Sequence, residues 1–140
     1  MKLTYEMLAE KDNCGVELKY FRENFKDGVD IWEFIRFLEK KHRQDVIKWL
    51  FWAFKLTGIF EIFYQDGRKC HEWHYRNGLK HGICRSWGIN GVLRYEENFK
   101  NGKEDGICRS WDPDGTLKYE WYYGNGKLIK KDNYCSYVLI

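Results

Sequence analysis

No stretch of this chain is long and apolar enough to cross a bilayer as a helix. The longest apolar run, Trp49 to Phe54, falls far short of the roughly 20 residues that a membrane helix needs. The opening Met1-Lys2-Leu3-Thr4-Tyr5-Glu6 lacks the apolar core of a secretory leader. Long blocks of like charge are absent too, and the net charge is only +3. Neither nucleic acid nor an anionic membrane is therefore an expected partner. There is no glycine-rich phosphate loop, no serine in a strained glycine elbow and no Cys–His pair in a nucleophile motif. The expectation is a non-enzymatic protein without a cofactor. Five cysteines, Cys14, Cys70, Cys84, Cys108 and Cys135, form an odd set. Without a leader this suggests a reducing, cytoplasmic setting, with a virion interior equally compatible.

Residues 1–57 contain no proline and few glycines, and their apolar residues recur at helical spacing. Asp30 and Glu33 form a capping-box pattern. Behind it Ile31, Phe34, Ile35 and Leu38 fall on one helical stripe. Asp45 can start a further helix through Phe54, apolar nearly all round and so expected to be buried. Thr4 can cap a short helix through Leu8, and Cys14 to Phe25 predicts another with Val16, Tyr20 and Phe21 on one side. Residues 1–57 are expected to form a helical cap, because a repeat array needs its ends covered; a separate partner-binding module is the alternative.

From Gly58 onward the sequence changes character. Glycines at 58, 82 and 106 begin three copies of a 24-residue unit; Gly67, Gly91 and Gly115 follow nine residues later. Gly78, Gly102 and Gly126 each follow an asparagine. A fixed period of this kind marks a stacked array. Within each copy, alternating apolar segments are split by Asn-Gly or Asp-Gly, the strongest short-range hairpin signal. The expected fold is α+β: the cap, then an antiparallel β-meander of three hairpins (58–81, 82–105, 106–129) and a terminal strand. Tyr134 to Ile140 reads as that strand; it either closes the array or offers a sticky edge for a second copy.

The turn at Asp112-Pro113-Asp114-Gly115 predicts a three-residue loop with the glycine left-handed. This sets Trp111 across from Leu117 and Arg109 across from Tyr119. One face would then carry Ile107, Trp111, Leu117, Tyr119, Trp121 and Tyr123; copy two would supply Ile83, Trp87, Leu93, Tyr95 and Phe99, and copy one Ile59, Phe63, Trp73 and Tyr75. Arg85 and Arg109 would sit on that face beside Tyr95 and Tyr119 in cation–π geometry. Tyr, Trp and Arg dominate binding hot spots. The candidate partner-binding residues are therefore Arg85, Trp87, Tyr95, Arg109, Trp111, Tyr119, Trp121 and Tyr123, with core packing as the competing account.

The run Gly82, Trp87, Asn90-Gly91, Tyr95, Asn101-Gly102-Lys103, Gly106 and its parallel Gly106, Trp111, Asp114-Gly115, Tyr119, Asn125-Gly126-Lys127 resemble the MORN repeat family in its divergent 24-residue variant. Copy one departs from the pattern, with Phe63 in place of Trp and Leu79 in place of Lys. The resemblance implies an antiparallel sheet used for binding and assembly of proteins. Such repeats are abundant in bacterial proteins, some labelled antitoxins, and in giant DNA viruses. An antitoxin-like or phage-encoded inhibitor that occludes another protein is thus a second reading. A third is a metal-assisted enzyme built on Cys70, His74, His81 and Cys84, whose spacing matches no familiar zinc motif. Cys84 and Cys108 lie two strands apart, about 9–10 Å, too far for a disulfide.

Overall fold

The computed structural model describes residues 1–11 and 15–134. The chain divides into two compact units, Met1–Ala53 and Phe54–Ile140, each described in its own terms.

The first unit holds helices α1 (Tyr5–Glu10), α2 (Gly15–Asn24), α3 (Ile31–Lys40) and α4 (Gln44–Ala53). A small ladder joins strands β1 (Lys2–Leu3) and β2 (Val29–Asp30), pairing Lys2 with Asp30 and Leu3 with Val29. The sequence pattern gave no sign of it. Thr4 caps α1 by accepting from the Met7 amide. Asp30 caps α3 by accepting from the amides of Trp32 and Glu33 at 2.9 and 3.4 Å, so two donors of the first turn are satisfied. Ile31, Phe34, Ile35 and Leu38 are all buried, as their spacing predicts. Phe34 is ringed by Phe21 and Phe25, with centroids 5.1 and 5.5 Å away. Each such fully buried side chain contributes about 1.5–3 kcal/mol.

Two expectations need correction here. Helix α4 is not buried all round: Val46, Ile47, Leu50, Phe51 and Ala53 are inside, whereas Trp52 is 60 % exposed. In α2, Phe21 is fully buried while Tyr20 is 39 % exposed and packs on Phe37 at 5.3 Å.

The second unit is one antiparallel meander. Its long strands are β3 (Gly58–Phe63), β4 (Lys69–Arg76), β6 (Gly82–Trp87), β7 (Leu93–Lys100), β9 (Gly106–Trp111), β10 (Leu117–Gly124) and β11 (Lys127–Asn133). They lie in chain order from β3 at one edge to β11 at the other; short β5 (Leu79–Lys80) and β8 (Lys103–Glu104) pair with β4 and β7. After the third hairpin the sheet continues into Lys127–Asn133; of the strand expected at Tyr134–Ile140, all but Tyr134 lies outside the described residues.

The repeat period is written into the backbone. Asn77, Asn101 and Asn125 all have φ of 50°, and the glycine after each lies at 80–83°. Two successive left-handed residues make the type I′ turn that matches strand twist. The amides of Gly78, Gly102 and Gly126 donate to the carbonyls of Leu56, Lys80 and Glu104, each at 2.8 Å. The preceding asparagine amides donate to Thr57 Oγ1, His81 Nδ1 and Asp105 Oδ2. Each turn is therefore fastened to the residues one repeat before it.

Candidate functional site

Register decides which side chains share a face. The three-residue loop forms as expected: Gly115 has φ of 88°, Asp112 pairs with Thr116, and Trp111 stands opposite Leu117. The ladder then slips by one residue, so that Tyr119 faces Ser110 and Glu120 faces Arg109. Lys118 is the extra residue of a β-bulge. The same slip occurs in the other copies, between Phe63↔Lys69 and Ile62↔His71, and between Trp87↔Leu93 and Ser86↔Tyr95. Cys70, Arg94 and Lys118 are thus bulge residues at one repeat position.

A one-residue slip moves every following side chain to the other face. The eight candidate residues therefore do not share a surface. Tyr95, Tyr119, Trp121 and Tyr123 lie on one face with Trp73, Tyr75, Phe99, Cys84, Ser86, Cys108 and Ser110. Arg85, Trp87, Arg109 and Trp111 lie on the other with Ile59, Ile83, Ile107, Glu72, Glu96 and Glu120. The expected stacking of Arg85 on Tyr95 and Arg109 on Tyr119 is replaced by ion pairs.

These pairs form a ladder across the sheet. Arg109 Nε donates to Glu120 at 2.7 Å, and its Nη1 lies 3.5 Å from Glu96. Arg85 Nε donates to Glu96 at 2.9 Å, with Nη1 3.7 Å from Glu72. The Lys69 ammonium closes the row between Glu72 and Glu61 at 2.6 and 2.5 Å. Its hydrogen bond and that of His74 hold the Glu72 carboxyl below the usual range. The Tyr122 hydroxyl and then Arg109 do the same for Glu120. That bond to Glu120 in turn pushes the Tyr122 phenol up to about 12. Alternating charge in contact distance satisfies every member of the row, a structural use of these residues.

The aromatic face is built differently. Phe60, Cys84 and Cys108 are 1 %, 1 % and 4 % exposed, whereas Tyr95 is 49 % exposed. The Lys80 ammonium sits 5.1 Å from the Trp73 ring centroid and 4.6 Å from that of Phe99. Lys131 sits 4.2 Å from Tyr119 and 5.6 Å from Trp121. Between these two clamps a cavity of about 210 Å³ is lined by Tyr95, Glu97, Glu104, Cys108, Trp121 and Tyr123, with Arg109 also at its wall. Burial and then the nearby Glu97 and Glu104 raise the Cys108 thiol; burial and then Glu104 raise the Tyr123 phenol. Glu72, Glu96, Glu120, Glu97 and Glu104 were missed from sequence. Arg85/Glu96 and Arg109/Glu120, each separated by one turn, were the signal for the first group.

The Cys70, His74, His81, Cys84 set does not converge. Cys70 is a bulge residue, His74 turns to the ladder face and contacts Glu72 at 3.2 Å, and Cys84 is buried on the aromatic face. Among the described residues no group of three His, Cys, Asp or Glu could hold a metal ion, and Cys70, Cys84 and Cys108 are free thiols. No described helix is long and apolar enough to cross a membrane.

Neither curated proteins nor solved structures yield a match to this chain. A family model, the MORN repeat variant, matches residues 80–101, 104–123 and 118–136. Its first two segments begin 24 residues apart, at the period of the turns and bulges. Residues 58–79 of the first copy lie outside the match, yet they form the same bulged hairpin. MORN repeats are a non-enzymatic family generally associated with protein-binding and membrane-lipid-binding scaffolds. Within residues 80–136 the chain thus matches the MORN repeat variant in three adjacent segments.

Proposed function

We propose that the chain is a non-enzymatic protein-binding module whose docking surface is the aromatic face of repeats two and three. The observation that carries this reading is the half-open row of Tyr95, Tyr119, Trp121 and Tyr123. Tyr95 is 49 % exposed, and the other three are neither buried nor fully exposed. Rigid aromatic rings with polar tips supply contact area at low entropic cost. The opposite face is less suited to the task, because Arg85 and Arg109 are already engaged with Glu72, Glu96 and Glu120. Their charges would have to be withdrawn from those partners before serving another protein.

The experiment pairs two double variants. Tyr95→Ala with Trp121→Ala removes the aromatic face; Trp87→Ala with Trp111→Ala removes rings from the ladder face. Partner capture by cross-linking in cells is expected to fail for the first and persist for the second. Equal recovery by both, with both folded by circular dichroism, would reject the aromatic face as the docking surface.

A further inference from the structure

The repeat supplies its own comparison for the cavity between repeats two and three. One repeat earlier, the equivalent place is filled. Lys80 lies on the aromatic face, opposite Tyr75, with its ammonium 5.1 Å from Trp73 and 4.6 Å from Phe99. The buried Cys84 lies close enough to feel that charge. Moving forward by 24 residues, Cys84 becomes Cys108, Phe99 becomes Tyr123, and Lys80 becomes Glu104. Trp73 becomes Glu97, and Trp121 supplies a ring on the far strand. The aromatic walls and thiol floor persist, but the lysine is gone and two carboxylates stand in its surroundings; Arg109, also at the wall, is engaged by Glu96 and Glu120.

Those carboxylates have no partner of their own. Among the described residues neither the Glu97 nor the Glu104 carboxylate makes a hydrogen bond or ion pair, unlike those of Glu72, Glu96 and Glu120 on the opposite face. Both act on the cavity, since they help to raise the Cys108 thiol and the Tyr123 phenol beyond what burial does. A cavity of about 210 Å³ with three rings and two carboxylates that make no side-chain hydrogen bond or ion pair is complementary to a cation. Lys131 neutralises neither: its ammonium lies over Tyr119 and Trp121 and does not line the cavity. The kind of cation follows from the occupied copy, where the face accommodates the ammonium of a lysine rather than a guanidinium.

We propose that the cavity receives a lysine side chain of a protein partner, with its ammonium held by Glu97 and Glu104 and its stem packed among Tyr95, Trp121 and Tyr123. This rests on the reading that the aromatic face docks a protein.

The test uses the full chain and Nα-acetyl-lysine N-methylamide as probe, followed by the indole N–H resonance of Trp121, assigned with Trp121→Phe. A saturable shift in the millimolar range is expected, with none for the norleucine counterpart, which has the same stem and no charge. Glu97→Gln with Glu104→Gln should weaken binding by about tenfold or more. Glu104→Lys restores the side chain that repeat one carries; it should fill the cavity from within, abolish binding of the probe and keep a melting temperature at or above that of the natural chain. Equal binding of the norleucine amide, unchanged affinity in Glu104→Lys, or the absence of any saturable shift would each overturn the proposal. Tighter binding of choline or spermidine than of the lysine amide would overturn its assignment to a protein lysine. If Glu104→Lys leaves the probe bound while Tyr95→Ala with Trp121→Ala still loses the partner, the cavity assignment fails and the docking face stands. If the probe behaves as expected but neither face variant affects capture, the docking face fails and the cavity stands.

Discussion

Arg85 and Arg109 each lie between two carboxylates, whereas the same position in the first copy is Glu61. The ladder explains the change. An arginine at this position bridges the glutamate of its own hairpin and that of the hairpin before it. Glu61 is on β3, the sheet edge, where no earlier hairpin offers a carboxylate. There it faces Glu72 directly, a repulsive pair that the Lys69 ammonium neutralises. Glu96 is the central member, touching both arginines. Glu96→Ala should destabilise the array by about 1–2 kcal/mol, since the arginines keep some access to water; chemical denaturation measures it. The acid side has a defined sign. Glu72 and Glu120 have folded values held below those of the unfolded chain, so their contribution is complete above about pH 4.5 and is lost as pH falls through the folded values. Stability should therefore decline from about pH 4.5 downward, and Glu72→Gln should flatten that decline. On the other face, Ser86 Oγ and His71 Nδ1 are 2.7 Å apart, whereas the Ser110 hydroxyl is buried with no partner among the described residues. The residue equivalent to His71 is Tyr95. Ser110→Ala should thus be neutral or stabilising, and Ser86→Ala should cost about 1 kcal/mol; thermal melts of the two single variants would show whether the difference has this sign.

At the scale of the element, the turns were readable and the bulges were not. Asn-Gly demands two left-handed residues, and only such residues supply them cheaply; the observed φ values follow that rule at all three links. Gly67, Gly91 and Gly115 likewise take φ of 85°, 79° and 88°. The bulge residues Cys70, Arg94 and Lys118 have no common chemistry, and a bulge residue in right-handed conformation needs none. Aromatic alternation therefore favoured a face that the extra residue splits. What could have fixed the register was charge: Arg85 with Glu96 and Arg109 with Glu120 are opposite only if the bulge is present. In the first unit, α3 was readable because cap and stripe agree, while the exposed side of α4 was hidden by the rule that apolar residues go inside. Gly91 isolates the conformational cost of a turn, because a Cβ there would meet nothing within 4 Å. Gly91→Ala should cost about 1 kcal/mol through backbone strain alone, whereas Gly91→Asn should recover most of it, as read from thermal midpoints.

At the scale of the molecule, the two units are built by different means. Leu3, Phe21, Ile31, Phe34, Ile47, Leu50 and Phe51 form the inside of Met1–Ala53, a packed helical core. The repeat unit is a single sheet in which each hairpin pairs only with its neighbours, and each Asn-Gly turn is fastened one repeat back. Stability in such an array is close to a sum over repeats and the interfaces between them. A defect at a link should therefore spread to adjacent hairpins and fade with distance. Gly102, in the second repeat, makes this link back to Lys80 of the first; its φ is 83°, and a Cβ would meet the Leu79 side chain at 3.5 Å. Gly102→Ala is expected to speed amide exchange in β6, β7 and β9, with a smaller effect in β3 and β11, and to leave α3 and α4 at their original protection. Uniform acceleration across both units would mean that they unfold as one cooperative body, and the nearest-neighbour account of the array would then be wrong.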